Sequence, residues 1–191
     1  VEAVFKGILR EAGVQYEDSK RVTLDIGEDS PQRVVTGEYD IVIDGAVDDV
    51  KSASDWSYRN KFESFDTLKD GDAFGYVSQL AGYARASGKK AGGWWVVNKQ
   101  DGNFKYVPAD IDVEKEVKKI KDNIKAVEND DFKRCFDPVQ ETFRGKPTGN
   151  KILPITCRFC SYRKACHPSL QELPQKMSKA KDPKIVAYVD G

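Results

Sequence analysis

Five acids and a lysine occur close together in residues 37–54, GEYDIVIDGAVDDVKSAS. The Asp-Gly pair at positions 44–45 is a turn signal between two apolar runs, so the stretch predicts a β-hairpin. Side chains alternate along a strand, which places Asp49 and Lys51 on one face, with Asp40 of the partner strand within reach. Paired carboxylates are suitable ligands for Mg²⁺ or Mn²⁺, and a neighbouring ammonium can position water or stabilise charge on a phosphate. This chemistry is metal-dependent hydrolysis of a phosphodiester.

A purely structural role is the alternative for this hairpin. Asp44 would then serve the turn, and the remaining charges would be solvated or paired across the strands. A D-x-K triplet is short and arises often by chance. The residues that follow along the chain therefore decide between the two interpretations.

Those residues resemble the core motifs of the PD-(D/E)xK nuclease superfamily. The matching positions are Gly37-x-x-Asp40, Asp49-Val50-Lys51 and, on the next predicted helix, Gln79-x-x-x-Tyr83. Residues four apart share one face of a helix, so the glutamine and the tyrosine can both point toward the hairpin. The resemblance implies a restriction-endonuclease-like core that cleaves DNA.

The resemblance also implies a role for each matching residue. Asp40, Asp49 and the carbonyl of Val50 would hold Mg²⁺ or Mn²⁺, and Lys51 would position the attacking water. Gln79 and Tyr83 would orient the substrate or the lysine. The implied catalytic set is Asp40, Asp49, Lys51, Gln79 and Tyr83.

A further metal ligand is implied on the first helix by resemblance to the RecB-like branch of the superfamily. That branch carries a histidine or an acid there, and Glu2 is the corresponding residue in this chain. The branch also has a glycine-containing turn before the helix, which this sequence lacks because it begins at Val1, so we expect that an upstream segment is missing from it. A solvated acid favoured by the helix dipole is the alternative for Glu2.

All four cysteines lie in the last third of the chain, at Cys135, Cys157, Cys160 and Cys166. The C-x2-C-x5-C spacing lets three thiolates converge on one centre, and the distant cysteine can close the set. Four thiolates complete a coordination shell for Zn²⁺ or for a [4Fe-4S] cluster. Disulfides and free thiols are the competing explanations.

The cysteine spacing is similar to that of CRISPR-adaptation and AddB-type nucleases, in which it surrounds a [4Fe-4S] cluster. Their distant cysteine lies upstream of the nuclease motifs, whereas Cys135 lies downstream of them. Because of this difference, Zn²⁺ remains an alternative to the [4Fe-4S] cluster. Residues 135–166 also resemble the C-terminal part of RecB-like exonucleases of tailed phages, which implies exonuclease action and a phage origin.

Basic and aromatic residues surround the cysteines and predict a DNA-binding surface. Phosphate pairing and base stacking there would suit a single strand or a duplex end. A solvated surface with local packing is the alternative. The candidate residues are Arg158, Tyr162, Arg163 and Lys164.

Composition adds few constraints. The chain has 191 residues, of which 31 are basic and 31 acidic, so any nucleic-acid or membrane partner must bind a local patch. No apolar run approaches the ~18 residues of a membrane span, and no charged-then-apolar leader opens the chain. These features predict a soluble protein of the cytoplasm, or of the host cytoplasm if phage-encoded, with no membrane partner.

The hydrophobic pattern predicts the order α-β-β-β-α-α-β-β-α up to residue 130. We therefore expect an α/β fold with a mixed central β-sheet flanked by helices and a metal-bound cysteine segment at its C-terminal edge. The predicted division is a nuclease core over 1–131, a cysteine-cluster segment packed on it over 132–170, and an extended tail over 171–191.

The predicted function is a Mg²⁺- or Mn²⁺-dependent deoxyribonuclease, acting as an exonuclease on DNA ends. Two rivals belong to other classes. One is a non-catalytic nucleic-acid-binding module organised by the four-cysteine centre, in which the acidic hairpin is structural. The other is a redox-sensing iron-sulfur protein.

Overall fold

The computed structural model describes residues 1–27, 30–31, 33–131 and 134–189. The chain is a mixed α/β protein, as the sequence predicts, and it has several sheets and helices. It divides into two compact units, Val1–Asp131 and Phe132–Gly191. The predicted start of the cysteine segment at residue 132 and the last two residues of the predicted tail lie outside the described residues.

The first unit contains four helices and six strands in its described part, together with a short π-helical segment over Ser57–Lys61. The helices are α1 (Glu2–Glu11), α2 (Phe65–Asp70), α3 (Tyr76–Ser87) and α4 (Val113–Glu128). The strands are β1 (Lys20–Asp25), β2 (Val34–Tyr39), β3 (Ile41–Ile43), β4 (Ala46–Ala53), β5 (Lys90–Asn98) and β6 (Phe104–Pro108).

The largest sheet of this unit is mixed, with strand order β3-β4-β5-β6. Strands β4 and β5 pair in parallel, and both outer pairs are antiparallel. A parallel pair needs a long crossover, which α3 and the segments before it supply. Central strand β5 is apolar on both faces because both are covered: Trp94 packs on the α3 side, and Trp95 contacts Phe5 of α1.

The predicted single central sheet is corrected in one respect, since β1 and β2 form a separate antiparallel ladder. Residues 34–44 alternate in the manner typical of one continuous strand, but the strand is interrupted at Asp40. Its carboxylate oxygen Oδ2 accepts a hydrogen bond from the Val50 amide at 2.7 Å, so a side chain takes the place of a backbone partner. The chain passes from one sheet to the other at this residue.

Helix α3 forms the core of the first unit together with the mixed sheet. Val77 and Leu80 are buried against Tyr39, Val47 and Trp94. The helix ends at Gly88, whose left-handed φ of 68° is the usual helix-terminating conformation. Packing along the whole length of α3 therefore fixes which of its faces looks toward β4.

The second unit is built on one antiparallel sheet with strand order β7-β8-β10-β9. Its elements are β7 (Val139–Phe143), β8 (Lys146–Ile152), a 3₁₀ helix (Ile155–Phe159), α5 (Arg163–Cys166), β9 (Gln171–Pro174) and β10 (Ile185–Val189). The predicted tail over 171–191 is therefore wrong for its described part, because β9 and β10 belong to the sheet. Residues 186–189 are all buried, which removes the alternation by which a half-buried strand is recognised.

A buried carboxylate joins the strands of the second unit. Glu141 accepts hydrogen bonds from four side chains, and together they lower its pKa although burial alone would raise it. The unit therefore combines a small apolar core with a polar centre in which the buried charge is fully satisfied. The four donors are Thr148, Asn150, Gln175 and Tyr188.

No helix within the described residues is both long enough and apolar enough to cross a membrane.

Candidate active site

The β3–β4 hairpin brings the predicted acids and lysine together. Its turn residues Asp44 and Gly45 have φ values of 48° and 75°, the left-handed pair of a type I′ turn. The register pairs Ile41 with Asp48, and continuing it by one residue places Asp40 beside Asp49. The Val50 amide, which follows Asp49 in β4, donates to Asp40 and fixes that carboxylate against the strand.

Asp49 and Lys51 lie on the same face of β4 and form an ion pair. The Lys51 Nζ atom is 2.6 Å from Asp49 Oδ2, and the Asp49 residue is only 3% exposed. Among the described residues, no donor is aligned with that oxygen for a hydrogen bond. The Lys51 ammonium is therefore the charge that balances this buried carboxylate.

Gln79 and Tyr83 face this pair from α3, as the four-residue spacing predicts. Lys51 Nζ lies 3.5 Å from Gln79 Oε1, and Gln79 Nε2 donates to the Tyr83 hydroxyl at 3.0 Å. The five predicted catalytic residues thus form one connected cluster. The connection runs from Asp49 through Lys51 and Gln79 to Tyr83, with Asp40 beside Asp49.

Close packing explains why residue 37 of the Gly-x-x-Asp stretch is a glycine. A Cβ atom at Gly37 would lie 2.6 Å from Cε1 of Tyr83, well inside van der Waals contact. The Tyr83 ring can therefore pack on β2 only because residue 37 has no side chain. This contact holds the last member of the cluster in place.

The pKa of Asp40 is raised to about 6, chiefly by burial. The negative charges of Asp49 and Glu2 raise it further, whereas the Val50 amide and Lys51 lower it. Burial alone would lower the pKa of Lys51, but the carboxylates of Asp49 and Asp40 raise it above its ordinary value. The lysine is thus held as an ammonium, and the two acids repel each other in the absence of a cation.

Glu2 lies close enough to Asp40 to affect its titration, but its carboxylate pairs with Lys6 at 2.5 Å. The same lysine also binds Asp18 at 2.5 Å. Across the described parts of the chain, no group of three or more His, Cys, Asp or Glu side chains is arranged so that it could hold a metal ion. Asp40 and Asp49 therefore form a two-carboxylate site, and the structure does not bring Glu2 into it.

Asp48 points to the opposite face of β4 and is structural. Its carboxylate accepts hydrogen bonds from Trp95 Nε1 and the Tyr106 hydroxyl, both at 3.0 Å, and burial raises its pKa. A Cβ atom at Gly92 would lie 2.0 Å from Asp48 Oδ1, so a glycine is needed there. Asp48 thus belongs to the core, whereas Asp40 and Asp49 of the same hairpin belong to the candidate site.

Tyr76, the first residue of α3, also lies beside Lys51 and was not predicted from the sequence. Its ring centroid is 5.2 Å from Lys51 Nζ, and burial raises the pKa of its hydroxyl. The helical spacing Tyr76-x-x-Gln79-x-x-x-Tyr83 contains the signal, because residues three and four apart share a face.

The four cysteines carry free thiols. The pKa of Cys157 is raised by burial and then by the thiols of Cys160, Cys135 and Cys166, in that order. The other three cysteines therefore lie within electrostatic range of Cys157, which is in the 3₁₀ helix, and Cys166 ends α5. Within the described residues, the four sulfur atoms are not arranged in a geometry that would hold a metal ion.

The predicted DNA-binding residues divide into two groups. Arg163 is engaged within the second unit, since its guanidinium donates to the Arg158 carbonyl at 3.0 Å and to Glu172 at 3.1 Å. Arg158 is half-buried, whereas Lys164 is exposed and Tyr162 is 74% exposed. Tyr162 and Lys164 are therefore the two members available to a ligand.

Comparison with known proteins finds no family model and no curated protein that matches this chain. The geometry of the cluster therefore carries the functional argument.

Proposed function

We propose that this protein is a metal-dependent deoxyribonuclease with a restriction-endonuclease-like core, acting as an exonuclease on DNA ends. The observation that carries the proposal is the convergence of Asp40, Asp49 and Lys51 with Gln79 in one cluster. Ordinary hairpin charges would be solvated, but Asp49 is buried and burial raises the pKa of Asp40 to about 6. Such strongly perturbed groups are typical of functional sites.

Asp40 and Asp49 would hold Mg²⁺ or Mn²⁺. Their fit to a divalent cation rests on the donor set, a buried and a half-buried carboxylate side by side, and on the repulsion between the two carboxylates. Hard carboxylate oxygens are the usual ligands of these ions. When bound, the cation would neutralise phosphate charge and lower the pKa of a water molecule.

Lys51 acts as a donor of hydrogen bonds and charge rather than as a base. Its raised pKa keeps it protonated at neutral pH, so it can orient a water oxygen or stabilise a phosphate oxygen. Gln79 accepts from the ammonium and Tyr83 supports the glutamine amide, which together restrict the lysine to one position. The hydrogen bond from Val50 does the same for Asp40.

A second candidate is a nucleic-acid-binding module without catalysis. The exposed aromatic residues Phe159 and Tyr162, next to the cysteines, favour it because an exposed ring can stack on a base. Both candidates bind nucleic acid, but only the first predicts cleavage.

We expect the protein to digest linear DNA with Mg²⁺ or Mn²⁺ but not with EDTA, and to do so faster as pH rises through about 6. Below that pH Asp40 is protonated and binds a cation weakly; above it the carboxylate is free to bind. The groups that influence it are Asp49, Glu2 and Lys51. The measurement is the initial rate between pH 5 and 8 at subsaturating metal, where higher metal should shift the midpoint downward. A complete lack of cleavage would favour the second candidate.

We further propose that the four cysteines hold a metal centre, a [4Fe-4S] cluster in preference to Zn²⁺. Their fit rests on the donor set, four free thiols, of which three add to the effect of burial in raising the pKa of the fourth, Cys157. Such a centre would supply folding free energy to the loops between β8 and β9. Metal analysis of protein purified without oxygen should find iron, and Cys157→Ser should lose it. Finding zinc in place of iron would change the identity of the proposed centre. Protein free of both metals would contradict the proposal that the cysteines hold a metal.

A further inference from the structure

Three aromatic rings are stacked beside the proposed catalytic lysine. Tyr76 stacks with Phe62 at a centroid distance of 6.0 Å and with Phe74 at 5.9 Å, with interplanar angles of 25° and 29°. Phe62 is buried, Tyr76 is half-buried and Phe74 is 56% exposed. The stack therefore begins in the core and presents the Phe74 ring to solvent.

A second lysine lies over the same rings. Lys61 Nζ is 4.6 Å from the Tyr76 centroid and 5.0 Å from that of Phe74. It has no ion pair in the described part of the chain. The nearby acid Asp72 accepts hydrogen bonds from the Tyr76 and Val77 amides and caps α3. Lys61 is thus a cation held by aromatic faces with no carboxylate at ion-pair distance.

The turn before α3 keeps Phe74 in position. Gly75 adopts a left-handed φ of 73°, and its amide bonds to the Asp72 carbonyl at 3.4 Å. With the Asp72 side chain bound to the helix on the other side, the backbone of residue 74 is constrained from both directions. An exposed ring on a constrained backbone loses little conformational entropy when it binds.

We infer that Phe74, Tyr76 and Lys61 form a subsite for one nucleotide of a single-stranded DNA end, next to the phosphate that is cleaved. The base stacks on Phe74 and a neighbouring phosphate pairs with Lys61. Tyr76 contacts both lysines, so it connects the subsite with Lys51. A flat apolar face beside an unpaired cation matches the alternation of base and phosphate along a single strand. The inference deepens the proposed function and rests on it for the role of Lys51.

The first test is the affinity for a short fluorescein-labelled single-stranded oligonucleotide, measured by anisotropy in EDTA so that no cleavage occurs. Phe74→Ala should weaken binding by about 5- to 150-fold, the range for loss of one stacked base. Phe74→Trp should bind at least as well as the wild type, whereas Phe74→Leu should bind as weakly as the alanine variant. Equal affinities of the wild-type, alanine and leucine proteins would overturn the subsite.

The second test removes the partner from the DNA. A series of oligonucleotides is used, each lacking the base at a different position. The wild type should bind one of them as weakly as the Phe74→Ala variant binds the intact strand. With that oligonucleotide, Phe74→Ala should cause no further loss of affinity. Losses that add at every position would show that Phe74 affects binding indirectly, and the inference would fail.

The role of Lys61 has its own readout. Lys61→Gln should reduce the slope of log affinity against log salt concentration by about 0.7, the value for one phosphate contact on a single strand. An unchanged slope would remove Lys61 from the subsite. Because these measurements need no cleavage, they can fail while the wild type still digests DNA, or succeed while it does not. Failure of the subsite and failure of the nuclease proposal are thus distinguishable.

Discussion

Lys51→Ala is expected to slow the digestion of linear DNA by about 10²- to 10³-fold in Mg²⁺ or Mn²⁺, the usual cost of losing one donor that stabilises developing charge. The ammonium is held by Asp49 at 2.6 Å and remains protonated, so its removal takes away positive charge from the place proposed for the reacting phosphate. Initial rates with saturating DNA and metal give the comparison. Lys118→Ala is the matched control, since that exposed lysine on α4 pairs only with Asp122 along its own helix.

Loss of folding must be separated from loss of chemistry in this variant, because Asp49 would remain as a buried charge without its partner. Lys51→Arg keeps a cation beside Asp49 but replaces a point charge with a planar fork. We expect the arginine variant to unfold at nearly the wild-type temperature and still to cleave slowly. If the alanine and arginine variants both fold and cleave at the wild-type rate, Lys51 has no part in the reaction and the nuclease proposal loses its main residue.

Asp49→Asn is expected to weaken the binding of Mn²⁺ and to slow cleavage by more than about 100-fold, the upper end of the effect for residues that only support a metal ligand. Removing this charge should also lower the pKa of Asp40, because Asp49 adds to the effect of burial there. Calorimetric titration with Mn²⁺ measures the affinity, and ¹³C shifts of the Asp40 carboxyl follow its titration.

The neighbouring acid provides the control for this experiment. Asp48→Asn removes a charge one residue away, but on the opposite face, where it binds Trp95 and Tyr106. We expect it to reduce the free energy of unfolding by ~1–3 kcal/mol and to leave the Mn²⁺ affinity unchanged. Equal losses of affinity in both variants would show that the cation site does not depend on which face of β4 carries the acid.

The local arrangement of the cluster follows from sequence periodicities. Alternation along β4 separates Asp49 and Lys51 from Asp48, and the four-residue spacing on α3 aligns Gln79 with Tyr83. The two-residue turn then sets the register. Each of these inferences spans only a few residues, within which backbone geometry leaves little freedom.

Features that depend on contacts between distant segments could not be predicted in this way. The strand break at Asp40 results from a hydrogen bond to Val50, and nothing in the alternating pattern of residues 34–44 marks it. Strands β9 and β10 are separated by a charged stretch and have no alternation, so the sheet of the second unit was missed. The aromatic stack joins Phe62 to residues 74 and 76 across helix α2, and sequence periodicity gives no signal for such a contact.

The interruption at Asp40 makes one residue serve as both the joint between two ladders and half of the proposed cation site. The β1–β2 ladder ends at Tyr39 and the mixed sheet begins at Ile41. Because the Val50 amide holds the Asp40 carboxylate against β4, the spacing of the two acids is set within the mixed sheet and does not depend on the β1–β2 ladder.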